Sequence, residues 1–155
     1  MRDFFILCEK NDHIEAGLKF LYILTKSELG NNWTEFLQFL PIFPKILNKS
    51  FTINQEKIYY ILAIMLKHDN IFQYCQTFQL HSVLAECCRK DINLNQKYAY
   101  YLYKCVFLFV KRHYYRAFIH ETIFNGMAAI LFMDEKHDIS SLFFTISLLI
   151  DNYCE

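Results

Sequence analysis

The chain has 155 residues, with 16 Lys and Arg against 16 Asp and Glu, and a formal net charge of zero. This length predicts a single domain over 1–155, and the balanced charge excludes a strong overall field that would attract nucleic acid or an acidic membrane. With 54% hydrophobic residues, 16 Phe and 11 Tyr but only 3 Gly and 2 Pro, the composition favours one large core and an all-helical fold with few tight turns.

The first part of the chain predicts a long helix, a short helix and a third helix. The long helix covers residues 12–29 and ends at Gly30, a residue that tolerates left-handed backbone. A short helix over 33–40 stops at Pro41, and Pro44 suits the first turn of the third helix.

The middle of the chain predicts a second series of the same kind. Its first helix starts after a cap at Thr52 or Asn54 and runs to about His68. A short helix over 70–76 and another over 79–89 complete the series.

The last part of the chain predicts a third series. The longest helix covers 96–113, a connector helix covers 114–120, and a further helix covers 123–132. Asp138 is the expected cap of a final helix that ends near residue 152.

An internal repeat underlies these series, because 58–84 aligns without a gap on 102–128, 44 positions later. Size and apolar character recur in this alignment, whereas polar identity drifts. The matched pairs include Ile58 with Leu102, Tyr59 with Tyr103, Met65 with Phe109, Lys67 with Lys111, Tyr74 with Phe118 and Leu80 with Phe124. A period of this length predicts stacked helices.

The sequence Phe43-Pro44-Lys45-Ile46-Leu47 resembles the apolar-Pro-x-apolar-apolar opening of the third helix in armadillo repeats. The later copies keep the apolar pattern without the proline. The resemblance implies an all-α fold, a right-handed superhelix of about three armadillo- or HEAT-like helical repeats. Proteins of this architecture bind partners through extended surfaces.

One armadillo-type family is more similar than the others. Asn95-Gln96-Lys97-Tyr98, the apolar run Phe107-Leu108-Phe109-Val110 and the helix opening Ile123-Phe124-Asn125-Gly126 resemble the regulatory H subunit of the vacuolar-type proton ATPase, and the helix over 141–152 matches its next repeat. The family's proline is absent, and the chain is far shorter than an ordinary H subunit. The resemblance implies a reduced, non-catalytic regulatory subunit without a cofactor, which binds other protein subunits of a larger complex.

Polar residues on the third helices and a basic cluster are the candidate partner-binding residues. Third helices line one face of a helical array, so their polar residues are candidates for a binding surface. The candidates are Lys45, Lys49, His81, Glu86, Arg89, Asn125, Lys111, Arg112 and Arg116.

A nucleic-acid- or ribosome-associated adaptor is the alternative function. Lys97, Tyr98, Tyr100, Tyr101, Tyr103 and Lys104, followed by Lys111, Arg112 and Arg116, interleave bases with aromatic residues. Such side chains can contact phosphates and stack on unpaired bases. The competing interpretation is that Tyr98, Tyr101 and Leu102 fall on a core-facing stripe and that the basic cluster complements the dipole at a helix end.

The six cysteines, Cys8, Cys75, Cys87, Cys88, Cys105 and Cys154, lack the spacing of a disulfide framework and predict free thiols in a reducing compartment. His81 with Cys75, Cys87 and Cys88 lacks paired Cys-x-x-Cys spacing, so no metal site is expected. The longest uncharged apolar stretch, 139–150, is shorter than the ~20 residues of a membrane span. We therefore expect no membrane insertion and a cytoplasmic location, which includes the cytoplasmic face of a membrane complex.

The final helix predicts an uncovered apolar surface. Its apolar residues Leu142, Phe143, Ile146, Leu149 and Ile150 form a face wider than one neighbouring helix can cover. We therefore expect the chain to dock in a complex or to self-associate.

Overall fold

The computed structural model describes residues 55–90, 96–133 and 140–153, together with residues 17, 19, 22 and 23. These residues are helical or lie in turns and short connections, with no strand among them, which confirms the all-α class. Residues 17, 19, 22 and 23 are helical, as predicted for 12–29. The rest of that helix, the helix predicted over 33–40 and the helix opening at Pro44 lie outside the described residues.

Six α-helices and one 3-10 helix form the described part of the chain from residue 55 onwards. They are α1 (Gln55–Met65), α2 (Asp69–Thr77), α3 (Leu80–Lys90), α4 (Gln96–Val110), the 3-10 helix (Tyr115–Phe118), α5 (Glu121–Met133) and α6 (Ser140–Asp151). These helices form two successive sets, the first made of α1, α2 and α3 and the second of α4, the 3-10 helix and α5. In each set the middle helix is the shortest. The bounds agree with the predicted elements to within a few residues.

Polar residues at the helix ends explain several of these bounds. Asp69 lies in the first turn of α2, where a negative charge complements the helix dipole. Arg89 and Lys90 lie in the last turn of α3, where positive charge is favoured. At the start of α5, Nδ1 of His120 accepts a hydrogen bond from the backbone N–H of Thr122 at 3.2 Å, so His120 caps this helix.

Helix α4 lies at the centre of the core. No residue from Ala99 to Val110 is exposed, and only Tyr101, Lys104 and Phe107 are half-buried rather than buried, which is typical of a helix at the centre of a core. Its most extensive contacts are with α1 and then with α6, and it also contacts α3, α5 and the 3-10 helix. Helix α4 therefore links the first set of helices to α6.

The burial pattern corrects the gap-free alignment between the two sets. Met65 and Phe109, which the 44-residue alignment pairs, are both fully buried. Tyr74, however, is 42% exposed, whereas its pair Phe118 is fully buried. A shift of one residue pairs Phe118 with the buried Cys75. The 44-residue offset therefore does not pair positions of equal burial in the second helix of each set, where a four-residue 3-10 helix stands in place of the nine-residue α2.

Gly126 allows α5 to approach α4 closely. A Cβ atom at this position would lie 1.8 Å from Oη and 2.8 Å from Cζ of Tyr103. The Tyr103 side chain is itself only 1% exposed, so its rigid ring has little room to move. The absence of a side chain at Gly126 therefore determines the spacing of these two helices.

We expect Gly126→Ala to destabilise the fold. Overpacking a core destabilises a protein by about 1–3 kcal/mol, and we expect a cost near the upper end for so close an approach. Alanine offsets part of this cost, because its helix propensity is more favourable than that of glycine by about 1 kcal/mol. Urea unfolding should therefore show a net loss of about 1–2 kcal/mol in the free energy of unfolding.

The matched control is Ala129→Gly, an exposed position of the same helix, where only helix propensity changes. The double variant Tyr103→Phe/Gly126→Ala should lose less stability than the sum of the two single changes, because the closest atom is removed. Unchanged stability of Gly126→Ala would contradict this packing.

Candidate partner-binding surface

A Schellman motif ends α4 and shapes the candidate surface. The N–H of Tyr114 donates to the carbonyl of Phe109 at 3.1 Å, and the N–H of His113 donates to the carbonyl of Val110 at 2.9 Å. His113 has a φ of 68°, the left-handed conformation that this motif requires. The helix predicted over 96–113 therefore ends at Val110, three residues before the predicted end. The sequence carries no signal for this end, because the left-handed residue is a histidine and not a glycine.

The motif turns Tyr114 back onto the core, where it joins an aromatic cluster. Its ring lies 5.7 Å from that of Phe109 and 5.1 Å from that of His81, between ring centroids. Phe72 of α2 packs edge-on against Phe109 at 5.2 Å. These ring contacts join α2, α3 and the end of α4, and the sequence prediction of His81 as a surface residue did not anticipate them.

His81 is half-buried, and its Nδ1 atom is buried without a hydrogen-bond partner in the protein. Burial lowers the pKa of this imidazole. The residue therefore favours the neutral form in the folded chain, where it packs as an aromatic ring.

Arg112 is also directed at this cluster. Its guanidinium carbon lies 4.0 Å from the centroid of the Phe72 ring, a cation–π geometry. One guanidinium nitrogen pairs with the carboxylate of Asp69 in the first turn of α2, and the other donates to the carbonyl of Leu108 at 3.5 Å. The Arg112 side chain is 25% exposed, so its main observed role is to join α2 to the end of α4.

Arg89 and Glu86 are brought together on α3. Nη1 of Arg89 donates to Oε2 of Glu86 at 3.3 Å, and Nη2 donates to the carbonyl of Ala117 at 3.4 Å. Lys90 pairs with the other oxygen of Glu86 at 3.4 Å. Arg89 therefore joins α3 to the 3-10 helix. The carboxylate of Glu86 pairs with both Arg89 and Lys90.

The other candidate residues differ in position. Lys111, Arg116 and Asn125 are exposed. Lys111 lies on the turn after α4, Arg116 in the 3-10 helix and Asn125 in α5. Lys45 and Lys49 lie outside the described residues.

The tyrosines of α4 whose side chains the structure describes, Tyr100, Tyr101 and Tyr103, do not form an open platform for stacked bases. Tyr103 is 1% exposed and Tyr100 6% exposed, while Tyr101 is half-buried against Tyr60 at 5.1 Å. Nζ of Lys104 donates to Oη of Tyr100 at 3.2 Å. Of the predicted core-facing stripe, Leu102 is fully buried and Tyr101 is half-buried, whereas the side chain of Tyr98 lies outside the described part of the structure.

Large apolar side chains of α6 are exposed. Leu142 and Leu149 are buried, as a core-facing stripe requires, and Ile146 is half-buried. The exposed residues are Phe143 (58%), Phe144 (49%), Ile150 (51%) and Tyr153 (69%), the last just beyond the helix. The prediction of an apolar face that extends past the core is therefore confirmed for Phe143 and Ile150.

Two grooves flank α6. The α5–α6 groove has a volume of about 490 Å³ and is lined by Glu121, Phe124, Ile150 and Tyr153. The α4–α6 groove has a volume of about 370 Å³ and lies between the end of α4, the start of the 3-10 helix and α6. The exposed residues Ser140, Ser147 and Asp151, spaced by seven and four, share one side of α6 and form a polar ridge between the grooves.

The described cysteines are free thiols in a packed environment. Cys75, Cys88 and Cys105 are buried and Cys87 is partly exposed. Burial raises the pKa of Cys75 to about 12 and raises the pKa of Cys105 as well. The Sγ atom of Cys105 donates to the carbonyl of Tyr59 at 3.4 Å. Cys75 and Cys105 are therefore held as neutral thiols, which are poor nucleophiles and poor metal ligands.

Within 55–90, 96–133 and 140–153, and at the four described residues before them, no three His, Cys, Asp or Glu residues are grouped to hold a metal ion. No helix in the same part of the chain is both long and apolar enough to cross a membrane.

Comparison with known proteins finds no family model that matches the chain, no curated protein of significant similarity and no solved structure of significant likeness.

We expect Cys75 and Cys105 to resist alkylation in the native state. Both are fully buried and favour the neutral thiol, so N-ethylmaleimide should modify the partly exposed Cys87 much faster. Peptide mass spectrometry would assign each adduct, and modification in urea provides the control for intrinsic reactivity. Equal rates at Cys75 and Cys87 in the native state would contradict the packing described.

We expect the free energy of unfolding to fall as the pH drops below about 6.5, because unfolded His81 then binds a proton that the folded chain disfavours. Stability from this effect is complete above the unfolded pKa and is lost on acidification. His81→Phe should reduce the slope of stability against pH.

His68→Gln provides the comparison for this prediction, because burial and then Lys67 lower the pKa of His68 too. It should reduce the slope independently of the change at His81. Slopes that are the same in His81→Phe and the wild-type chain would contradict the role of His81.

Proposed function

We propose that the chain is a non-catalytic helical-repeat scaffold or regulatory subunit that binds other protein subunits of a larger complex. The observation that carries this proposal is the exposure of Phe143, Phe144, Ile150 and Tyr153 around a single helix. Clustered exposed apolar residues of this kind mark interaction sites.

The arrangement of the helices supports a repeat interpretation of this scaffold. Helix α4 packs on α1, and α6 packs on α4, so the first helix of one set contacts the first helix of the next. Tyr101 contacts Tyr60 across the first of these pairs, at 5.1 Å, and Phe144 contacts Phe107 across the second, at 6.0 Å. A right-handed superhelix of about three armadillo- or HEAT-like repeats would continue this order.

The most specific form of the proposal is a reduced H-like subunit of a vacuolar-type proton ATPase, on the cytoplasmic face of the membrane complex. It is supported by the resemblance of Asn95-Gln96-Lys97-Tyr98 and the later motifs to that family. Two of those motifs, 107–110 and 123–126, fall at the end of α4 and near the start of α5. The partner-binding residues in this form are the exposed candidates Lys111, Arg116 and Asn125 together with the apolar residues of α6.

We expect affinity purification of the tagged chain from its own cells to recover partner proteins in near-equal amounts. Phe143→Ser/Ile150→Ser should lose these partners while keeping the fold, because both side chains are more than half exposed. The control is Gln73→Ala/Ser82→Ala, at exposed positions of α2 and α3.

The identity of the recovered proteins separates the forms of the proposal. Subunits of a proton ATPase would support the H-like form, whereas nuclease-sensitive recovery of ribosomal proteins would favour the nucleic-acid-associated alternative. A chain that is monomeric in sedimentation and retains no protein would contradict the scaffold proposal.

A further inference from the structure

The α4–α6 groove combines an apolar floor with a basic rim. Val110, Tyr115, Phe144 and Leu148 supply the floor, and Lys111 and His113 lie at the rim. At its far end Asn152 donates its side-chain amide to the carbonyl of Leu148 at 2.6 Å. Among the described residues that line this groove, Lys111 is the only Lys, Arg, Asp or Glu, and His113 is the only histidine.

Phe144 is the exposed residue of this floor, whereas Val110 is buried and Tyr115 is half-buried. The Phe144 ring meets the Phe107 ring edge-on, with centroids 6.0 Å apart, yet Phe144 remains 49% exposed. Leu148 is half-buried beside it. Burying the remaining apolar area against a ligand would be favourable at about 25 cal/mol per Å².

The basic rim is held in place by the Schellman turn. The N–H of Lys111 donates to the carbonyl of Phe107 at 2.9 Å, and His113 is fixed in the left-handed conformation that ends α4. The guanidinium of the adjacent Arg112 pairs with Asp69 and packs on the Phe72 ring, so the middle of the turn is fixed against α2. Lys111 and His113 are both exposed and flank this anchored residue.

The two grooves beside α6 differ in charge. Among their described lining residues, the α5–α6 groove carries the acidic Glu121, whereas the α4–α6 groove carries the basic Lys111. Charge complementarity therefore selects different ligands for the two sides of the same helix, and the acidic side disfavours a carboxylate.

We propose that the α4–α6 groove binds an amphipathic helix of a partner protein that carries carboxylates beside its apolar stripe. The apolar side chains of this helix pack on Phe144, Leu148 and Tyr115, and a carboxylate pairs with Lys111 at the rim with His113 beside it. The apolar contacts supply most of the affinity and the charge supplies selectivity. This inference rests on the proposed scaffold function and specifies the chemistry of its partner.

The test uses the full chain and three fluorescein-labelled synthetic peptides, measured by fluorescence anisotropy. The first is a helix with Leu and Phe at i, i+3 and i+7 and Glu along the flank. The second replaces each Glu by Lys, and the third keeps Glu but replaces Leu and Phe by Ala. We expect the first peptide to bind at least about tenfold more tightly than either of the others.

Variants of the groove identify the site. Phe144→Ala and Lys111→Glu should each weaken binding of the acidic peptide by about tenfold or more, and Lys111→Glu should improve binding of the Lys peptide. The matched controls are Tyr74→Ala, an exposed aromatic residue of α2, and Lys67→Glu, an exposed lysine just beyond α1; both should change the Kd by less than about twofold. Circular dichroism confirms that each variant is folded.

Several results would overturn this inference. They are equal binding of the acidic and basic peptides, no binding of either, or equal effects of Tyr74→Ala and Phe144→Ala. A concentration-dependent dimer in sedimentation that Phe144→Ala dissociates would assign the groove to a second copy of the chain instead. If the peptides fail while the cellular partners are still recovered and are lost in Phe143→Ser/Ile150→Ser, the groove assignment is wrong and the scaffold function stands.

Discussion

The burial of α4 on all sides is the constraint on which the rest of the described structure depends. Between Ala99 and Val110 no side chain is exposed, so every face of this helix needs a neighbour. Helix α1 covers one part and α6 another, while α3, α5 and the 3-10 helix pack on the remainder. The close approach of α5 at Gly126 and the hydrogen bond from Cys105 to α1 follow from the same demand for dense packing. Helix α6 is in a different position, because it covers α4 while Phe143, Phe144 and Ile150 remain exposed to solvent.

The turn that ends α4 is packed against the core on one side and exposed at the α4–α6 groove on the other. Tyr114 and Arg112 point back to Phe109, Phe72 and Asp69, so they fasten the turn to the core. Lys111 and His113 lie between and beside these anchors and remain exposed at the α4–α6 groove. A short run of basic and aromatic residues thus contains two kinds of side chain, those that hold the turn and those available to a ligand. Sequence alone treats them as one cluster.

Helical periodicity and end residues were sufficient to predict the described helices, since α2, α3, α5 and α6 start and end within about two residues of the expected positions. Three features escaped prediction for physical reasons. His113 adopts left-handed backbone without being a glycine, so the end of α4 had no recognisable signal. The direction of Arg89 and Arg112 depends on long-range partners, a backbone carbonyl of the 3-10 helix and a carboxylate of α2. The burial phase of Phe118 depends on the length of the helix that replaces α2, which an alignment without gaps cannot express.

Hydrogen–deuterium exchange of the chain, alone and in the complex recovered from cells, tests the central claim that α6 is the uncovered side of a helix stack. The account predicts slow exchange in α4 in both states, and protection that appears on binding in α6 and in the turn between α4 and the 3-10 helix. Protection confined to α2 and α3, with α6 unchanged, would contradict it.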